Sequence, residues 1–130
     1  MLGLVITPNY TMYKKEFGEP MYKTVGAVVG GYVEHVLPIY LPQPFCLLID
    51  EEGKLNHKPI NPVASGWYSR VDPIVGTAVV MKDGYVDGER DIVGLTEEEC
   101  EKLIDTVVYM SDEEYRLIDE PKEEENAEEN

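Results

Sequence analysis

The apolar residues of this chain fall into short runs that proline and glycine interrupt. Residues 2–7 end at a proline, residues 45–50 precede the turn sequence EEGK, and residues 73–81 are rich in β-branched side chains. Short apolar runs bounded by turn-forming residues are typical of buried β-strands. The pattern therefore predicts a small central β-sheet. We expect further strands at residues 32–39, 55–60 and 85–93, and a strand or an ordered loop at residues 9–18.

Two regions carry helical patterns. Residues 20–30 place apolar side chains at helical spacing, between a proline that suits the first turn and a glycine pair that can end the helix. Thr96 and Glu99 form a predicted capping box at the start of a second helix. Ser111 and Glu114 repeat this pattern and predict a third, short helix.

The order of these elements predicts the fold class. A strand, a helix, further strands and two C-terminal helices give an α+β protein with a small, mostly antiparallel sheet covered on one face. Residues 51–54 and 82–84 are predicted turns, and residues 61–72 an irregular loop. A chain of 130 residues has room for one domain, which we predict over residues 1–119. The acidic residues 120–130 are predicted to be a disordered tail.

Acidic residues are concentrated in the last third of the chain. Residues 1–94 carry a net charge of −3 and residues 95–130 a net charge of −12, which gives −15 overall. This balance argues against direct binding of nucleic-acid phosphates, which requires a basic face. The lack of a long apolar run and of a secretory signal pattern predicts a cytoplasmic protein without a membrane partner. The clustered acids predict either a solubilising surface or a surface that complements a basic partner.

The cysteines and histidines show no motif of a disulfide, a zinc site or a catalytic centre. Cys46 lies in an apolar run and is expected to be a small buried hydrophobe. Cys100 lies in the acidic helix, where carboxylates raise the pKa of a thiol. His35 is expected to be a structural or surface residue of a strand. Because no nucleophile–base pair or phosphate-binding glycine loop occurs, we predict no catalytic residues, no metal and no cofactor.

One partial match to a calcium-binding loop occurs before the acidic helix. The first, third, fifth and twelfth positions of such a loop are occupied by Asp87, Glu89, Asp91 and Glu98. Its sixth position, which requires glycine for a sharp turn, is Ile92. The segment is therefore predicted to be a solvated turn that leads into the helix, and calcium binding is the weaker alternative.

Basic and aromatic side chains cluster in one segment. The residues are Lys54, His57, Lys58, Asn61, Trp67, Tyr68 and Arg70. Stacking and positive charge could hold an anionic, planar ligand such as a nucleotide if these residues meet in space. The alternative is that the loop aromatics cover the core or anchor an interface.

Four segments in a fixed order resemble a known family. They are GGYVEHV from residue 30, DEEGKLNHKPIN from residue 50, DPIVGTAVV from residue 72 and GLTEEECEKL from residue 94. Together they resemble the family of small phage and mobile-element proteins of Firmicutes known as domain of unknown function 3846. The resemblance covers about residues 20–108 and leaves residues 111–130 as an extension. It implies a protein that works in bacterial cytoplasm, and it brings no established catalytic residues.

These observations lead to two functional hypotheses. The first is a non-enzymatic accessory protein of a phage or mobile element, which blunts a host defence system by binding a host protein with a basic surface. The predicted partner-binding residues are Glu97, Glu98, Glu101, Asp105, Asp112, Glu113 and Glu114. The alternative is a sponge that binds a nucleotide second messenger through the basic and aromatic segment. A structural module of the element itself, or a homo-oligomer formed through an edge strand, is also compatible with the sequence.

Overall fold

The computed structural model of the protein describes residues 1–122, which form seven strands and three helices. In chain order the elements are β1 (Leu2–Ile6), β2 (Thr11–Glu16), α1 (Met21–Val29), β3 (Val33–Val36), β4 (Phe45–Asp50), α2 (Pro62–Tyr68), β5 (Ala78–Val86), β6 (Glu89–Val93), α3 (Glu97–Met110) and β7 (Arg116–Leu117). The predicted α+β class is confirmed. No helix in this part of the chain is both long and apolar enough to cross a membrane.

The strands form one sheet in the order β3-β4-β5-β1-β2-β7, and β6 pairs with the C-terminal part of β5. The pairings among β1 to β6 are antiparallel, whereas β7 lies parallel to β2. The sheet is therefore mixed, which corrects the prediction of a mostly antiparallel sheet. The strand β7 of this parallel pair is formed by residues for which the sequence pattern predicts a third helix.

The turn after α3 explains why that third helix does not form. The Ser111 hydroxyl donates a hydrogen bond of 2.8 Å to the Val107 carbonyl, so it closes α3 instead of opening a new helix. Asp112 and Glu113 then adopt the left-handed conformation, with φ of 54° and 68°. Two such residues break the helical path, and Tyr115 enters the core immediately afterwards. The prediction of two C-terminal helices is thus wrong.

Alternate side chains of β1 divide the interior into two cores. Leu4 and Ile6 point into a core that α2 and α3 cover, whereas Val5 points into a second core that α1 covers. The sheet is therefore covered on both faces, not on one as predicted. Burial of both faces also explains why β1 is a continuous apolar run rather than an alternating one.

Most sequence-predicted elements are present, with shifted bounds where polar residues continue a strand. The helix predicted at residues 20–30 is α1, and the capping box of Thr96 and Glu99 opens α3. The predicted turn at residues 82–84 is instead the middle of β5, because β6 pairs along it. The chain reverses at Asp87 and Gly88, which both have positive φ, as a two-residue hairpin requires.

The segment between β4 and β5 differs most from the prediction. Residues 55–57 lie in a turn rather than a strand, residues 58 and 59 have no regular structure, and Ile60 forms an isolated bridge with Val75. The predicted loop at residues 61–72 contains α2, which begins where the Asn61 side chain accepts a hydrogen bond from the Ala64 amide. This segment carries the predicted nucleotide-binding residues, so its true structure decides which of them lie together.

Candidate functional site

One face of helix α3 is apolar and packs against the core, and the opposite face is acidic and exposed to solvent. Its buried residues are Cys100, Leu103, Ile104 and Val107. All seven predicted partner-binding acids, from Glu97 to Glu114, are exposed. The structure therefore places the seven residues on an accessible surface, but it divides them into groups with different surroundings.

The acids near the start of α3 are paired with lysines. Lys14 on β2 contacts Glu97 at 3.1 Å and Glu101 at 3.3 Å, and hydrogen bonds to these carboxylates raise the pKa of Lys14. Glu98 contacts Lys102 at 3.3 Å, one helical turn further on. Negative charge in the first turn also favours the helix itself, because the backbone amides there are unpaired. These three acids thus have a structural explanation.

The acids near the end of α3 surround an exposed aromatic ring. Asp105, Asp112 and Glu113 line a shallow depression of about 390 Å³ together with Val108 and Tyr109. The side chain of Tyr109 is 88% exposed. None of the three carboxylates has a basic partner among residues 1–122. We refer to Asp105, Tyr109, Asp112 and Glu113 as the acidic–tyrosine patch.

Glu114 lies on the other side of the turn that follows α3. It lines a second depression with Tyr10, Pro62 and Met110, and Asp112 lies at the edge of both depressions. Glu114 is therefore exposed but does not belong to the acidic–tyrosine patch.

Three predicted nucleotide-binding residues have structural roles instead. Trp67 is only 1% exposed and packs in the core beneath α3, so its ring offers no face to a ligand. Asn61 is fully buried, and its Nδ2 donates to the carbonyls of Ile6 at 2.9 Å and Gly76 at 3.0 Å. Lys58 donates to the Val29 carbonyl at 2.7 Å, at the C-terminal end of α1.

Lys58 also neutralises a buried carboxylate. Its Nζ lies 2.6 Å from Oδ2 of Asp50, whose side chain is 1% exposed. Burial raises the pKa of Asp50, but the hydrogen bonds from Lys58 and from the Glu52 amide outweigh it and hold the pKa below its usual range. The charge of Lys58 is thus committed to the fold and is not offered to a ligand.

The other residues of the basic and aromatic segment do not form one site. Lys54 pairs with Asp72, the Arg70 guanidinium lies 5.0 Å from the centre of the Tyr40 ring, and His57 is exposed. Only Lys54 and Tyr68 of the predicted set line the same cavity, which has a volume of about 170 Å³. Four carboxylates line it as well, those of Glu34, Asp50, Glu51 and Asp72. A cavity with this charge disfavours an anionic nucleotide.

The acidic residues of the partial calcium-binding motif do not come together around one point. Asp87 forms the hairpin turn, Glu89 and Asp91 are exposed on β6, and Glu98 lies on α3. Among residues 1–122, the group of acidic, histidine and cysteine side chains with metal-binding geometry lies elsewhere, at His35, Cys46 and Asp83.

Two features of the molecule could not be predicted from the sequence. Tyr109 comes directly after the apolar residues Val107 and Val108 in the sequence, and only the structure shows that its ring is exposed to solvent. The group of His35, Cys46 and Asp83 has no spacing motif, because its members lie on three different strands. Both cysteines are buried, which raises the pKa of Cys46 to about 12 and of Cys100 to about 11. Neither free thiol is therefore a reactive nucleophile.

These features define an α+β protein in which a mixed sheet lies between helices, with an acidic helix and turn exposed on one face. The chain belongs to the family described as a domain of unknown function, DUF3846, whose sequence profile matches residues 1–122. The predicted resemblance is confirmed, but residues 111–122 are part of the family match rather than an extension. No curated protein and no solved structure matches the chain significantly.

Proposed function

We propose that this protein acts by binding another protein, and that the acidic–tyrosine patch is the binding surface. The observation that carries the proposal is Tyr109, an almost fully exposed aromatic ring among three carboxylates that have no basic partner in the described part of the chain. Tyrosine is enriched among the residues that dominate binding energy at interfaces, because its ring buries a large area at a small entropic cost.

The position of the acids supports binding rather than folding. Asp112 and Glu113 follow the C-terminal end of α3, where the helix dipole disfavours negative charge, and the last turn holds no basic residue. The backbone of both residues also adopts the left-handed conformation, which is uncommon for residues other than glycine. Their charges therefore make no favourable interaction within the described fold and are available to a partner.

The proposed partner is a protein with a basic surface and an apolar pocket for Tyr109. Complementary charge mainly accelerates association, and the aromatic contact mainly slows dissociation. In the phage or mobile-element setting that the family resemblance implies, the partner is a host protein that itself binds nucleic acid, and the protein is a non-enzymatic inhibitor of a defence system.

The proposal is tested with variants after a partner has been isolated by affinity purification from bacterial cells. The patch variant combines Asp105→Asn, Asp112→Asn and Glu113→Gln, and a second variant is Tyr109→Ala. A matched control combines Asp87→Asn, Glu89→Gln and Asp91→Asn, which removes three exposed acids at the β5–β6 hairpin. Association and dissociation rates are then measured by surface plasmon resonance at several salt concentrations.

We expect the patch variant to associate roughly tenfold more slowly at low salt and to lose much of its salt dependence. Tyr109→Ala is expected to dissociate at least about tenfold faster, which corresponds to a loss of about 1.4 kcal/mol or more, above the roughly 1 kcal/mol that most interface residues do not exceed. The control is expected to bind like the wild type. Equal losses in the control and the patch variant would mean that only the overall charge matters and would refute the assignment of the patch.

A further inference from the structure

Three side chains with different ligand atoms meet on neighbouring strands, away from the acidic–tyrosine patch. They are His35 on β3, Cys46 on β4 and Asp83 on β5. Nε2 of His35 lies 2.7 Å from Oδ1 of Asp83, and the nitrogen, sulfur and oxygen ligand atoms all lie within 4.8 Å of one another.

The register of the sheet brings these residues together. His35 pairs with Leu48, which is two residues from Cys46 on β4. Cys46 pairs with Met81, which is two residues from Asp83 on β5. Because side chains two residues apart in a strand point to the same face, all three project from the face that α1 covers. Three strands of one rigid sheet thus hold the group in place.

We propose that His35, Cys46 and Asp83 bind one Zn²⁺ ion. Zinc is a borderline-soft cation that accepts histidine nitrogen, cysteine sulfur and carboxylate oxygen in a tetrahedral arrangement. With zinc–ligand lengths of about 2.0–2.3 Å, ligand atoms of a tetrahedral site lie roughly 3.3–3.8 Å apart. The His35–Asp83 distance of 2.7 Å is shorter than this range, and all three ligand atoms lie within 4.8 Å of one another, so one ion between them requires this pair to separate on binding.

The surroundings suit a site with an exchangeable fourth ligand. Asp83 also lines an open depression of about 220 Å³ together with Gln43 and Arg90, and His35 is partly exposed. A metal ion can therefore enter from this side, and a water molecule can complete the tetrahedron. On binding, the Cys46 thiol releases its proton to solvent, the His35–Asp83 hydrogen bond opens, and the thiolate and carboxylate charges balance the charge of the ion.

Cobalt(II) provides the test, since it occupies zinc sites and reports its ligands by absorption. The full chain is stripped with a chelator and titrated with Co²⁺, and then with Zn²⁺ as a competitor. The variants are Cys46→Ala and His35→Gln. The matched control is Cys100→Ala, because Cys100 is the other buried free cysteine and lies on the core-facing side of α3, on the opposite face of the sheet.

We expect one equivalent of Co²⁺ to give tetrahedral visible bands and a thiolate-to-cobalt charge-transfer band, and Zn²⁺ to abolish both. The charge-transfer band is expected to vanish in Cys46→Ala and to persist in Cys100→Ala. His35→Gln is expected to weaken the affinity for Co²⁺ by at least about tenfold. A loss of this size is the lower limit even for residues that only hydrogen-bond to a metal ligand.

Several results would overturn the proposal. Cobalt binding without a charge-transfer band would place the ion on surface carboxylates. A charge-transfer band that depends on Cys100, or a His35→Gln variant with wild-type affinity, would contradict the assigned ligands. Circular dichroism checks that each variant is folded. If Cys46→Ala does not fold, the spectrum of the wild type and the affinity of His35→Gln decide, because His35 lies at the surface.

Discussion

Replacing Lys58 with methionine tests whether the ion pair with Lys58 stabilises the buried Asp50 carboxylate. Lys58 contacts Asp50 at 2.6 Å and donates to the Val29 carbonyl, while the carboxylate itself is almost inaccessible to water. In Lys58→Met the carboxylate keeps the hydrogen bond from the Glu52 amide but loses its counter-charge. We expect the change to destabilise the fold severely.

The magnitude follows from the burial of the pair. Removing one partner of a buried ion pair costs about 3–5 kcal/mol, because the other charge stays in a medium of low polarity. A domain of this size has a free energy of unfolding of about 5–15 kcal/mol, so the loss is a large part of the total. Lys54→Met is the matched control, since the Lys54–Asp72 pair is half-exposed and worth about 0.2–1 kcal/mol.

The free energy of unfolding should depend on pH in opposite directions in the wild type and in Lys58→Met, which tests the same ion pair independently. In the wild type the pKa of Asp50 is lowered, so its contribution to stability is present at neutral pH and is lost as the pH falls through the folded-state pKa. Without Lys58, burial raises this pKa above its unfolded value. The folded state then binds the additional proton, and the variant gains stability as the pH falls from neutral. The difference between wild type and variant therefore shrinks at lower pH.

The assay is urea denaturation, monitored by far-ultraviolet circular dichroism and by the fluorescence of Trp67, the single tryptophan. Linear extrapolation gives the free energy of unfolding at each pH. A loss in Lys58→Met no larger than in Lys54→Met would refute the reasoning. A difference from the wild type that stays constant between neutral and acidic pH would show that Asp50 does not titrate as argued.

Two further substitutions test the elements that frame the site. Thr96→Ala is expected to cost about 1 kcal/mol in urea denaturation, because the threonine hydroxyl caps the Glu99 amide at the start of α3, and Thr96→Ser is expected to retain most of this stability. Asn61→Ala is expected to cost at least about 2 kcal/mol, because it removes the cap of α2 and the hydrogen bonds that the Asn61 amide donates to two carbonyls, whereas unchanged stability would show that water replaces the amide.

The parts of the fold that could be predicted are those whose signals are local. Proline and glycine delimit α1, and the capping box of Thr96 and Glu99 opens α3, so both helices were predictable from neighbouring residues. The bounds of β4 follow from an uninterrupted apolar run. The second face of the sheet was not predictable, because which side a helix covers depends on the path of the chain between distant elements.

The capping motif at Ser111 shows how a correct local pattern misleads. Its hydroxyl donates to the Val107 carbonyl and accepts a hydrogen bond from the Tyr115 amide at 3.3 Å, not from the Glu114 amide as a capping box requires. Tyr115 enters the core, and Arg116 and Leu117 pair with β2. Long-range contacts likewise decide the candidate sites. The basic and aromatic segment was a cluster in sequence only, since Trp67 belongs to the core, whereas the group at His35 exists only through strand register.

The acids at the two ends of α3 differ in what they contribute to stability. The Glu99 carboxylate accepts a hydrogen bond from the Thr96 amide and contacts Lys82 at 2.9 Å. Burial raises the pKa of this partly buried carboxylate, but these contacts outweigh burial and lower the pKa below its usual value. Glu99→Gln should therefore lower the thermal midpoint at neutral pH.

At the other end, Glu113 faces the negative pole of the helix dipole without a basic partner among residues 1–122. Glu113→Gln should raise the free energy of unfolding by about 0.3 kcal/mol or more, measured by urea denaturation, while it slows association with the partner. Higher stability together with slower association would assign this charge to binding rather than to the fold. A Glu113→Gln variant that is less stable than the wild type would contradict this reasoning, because the charge would then belong to the fold.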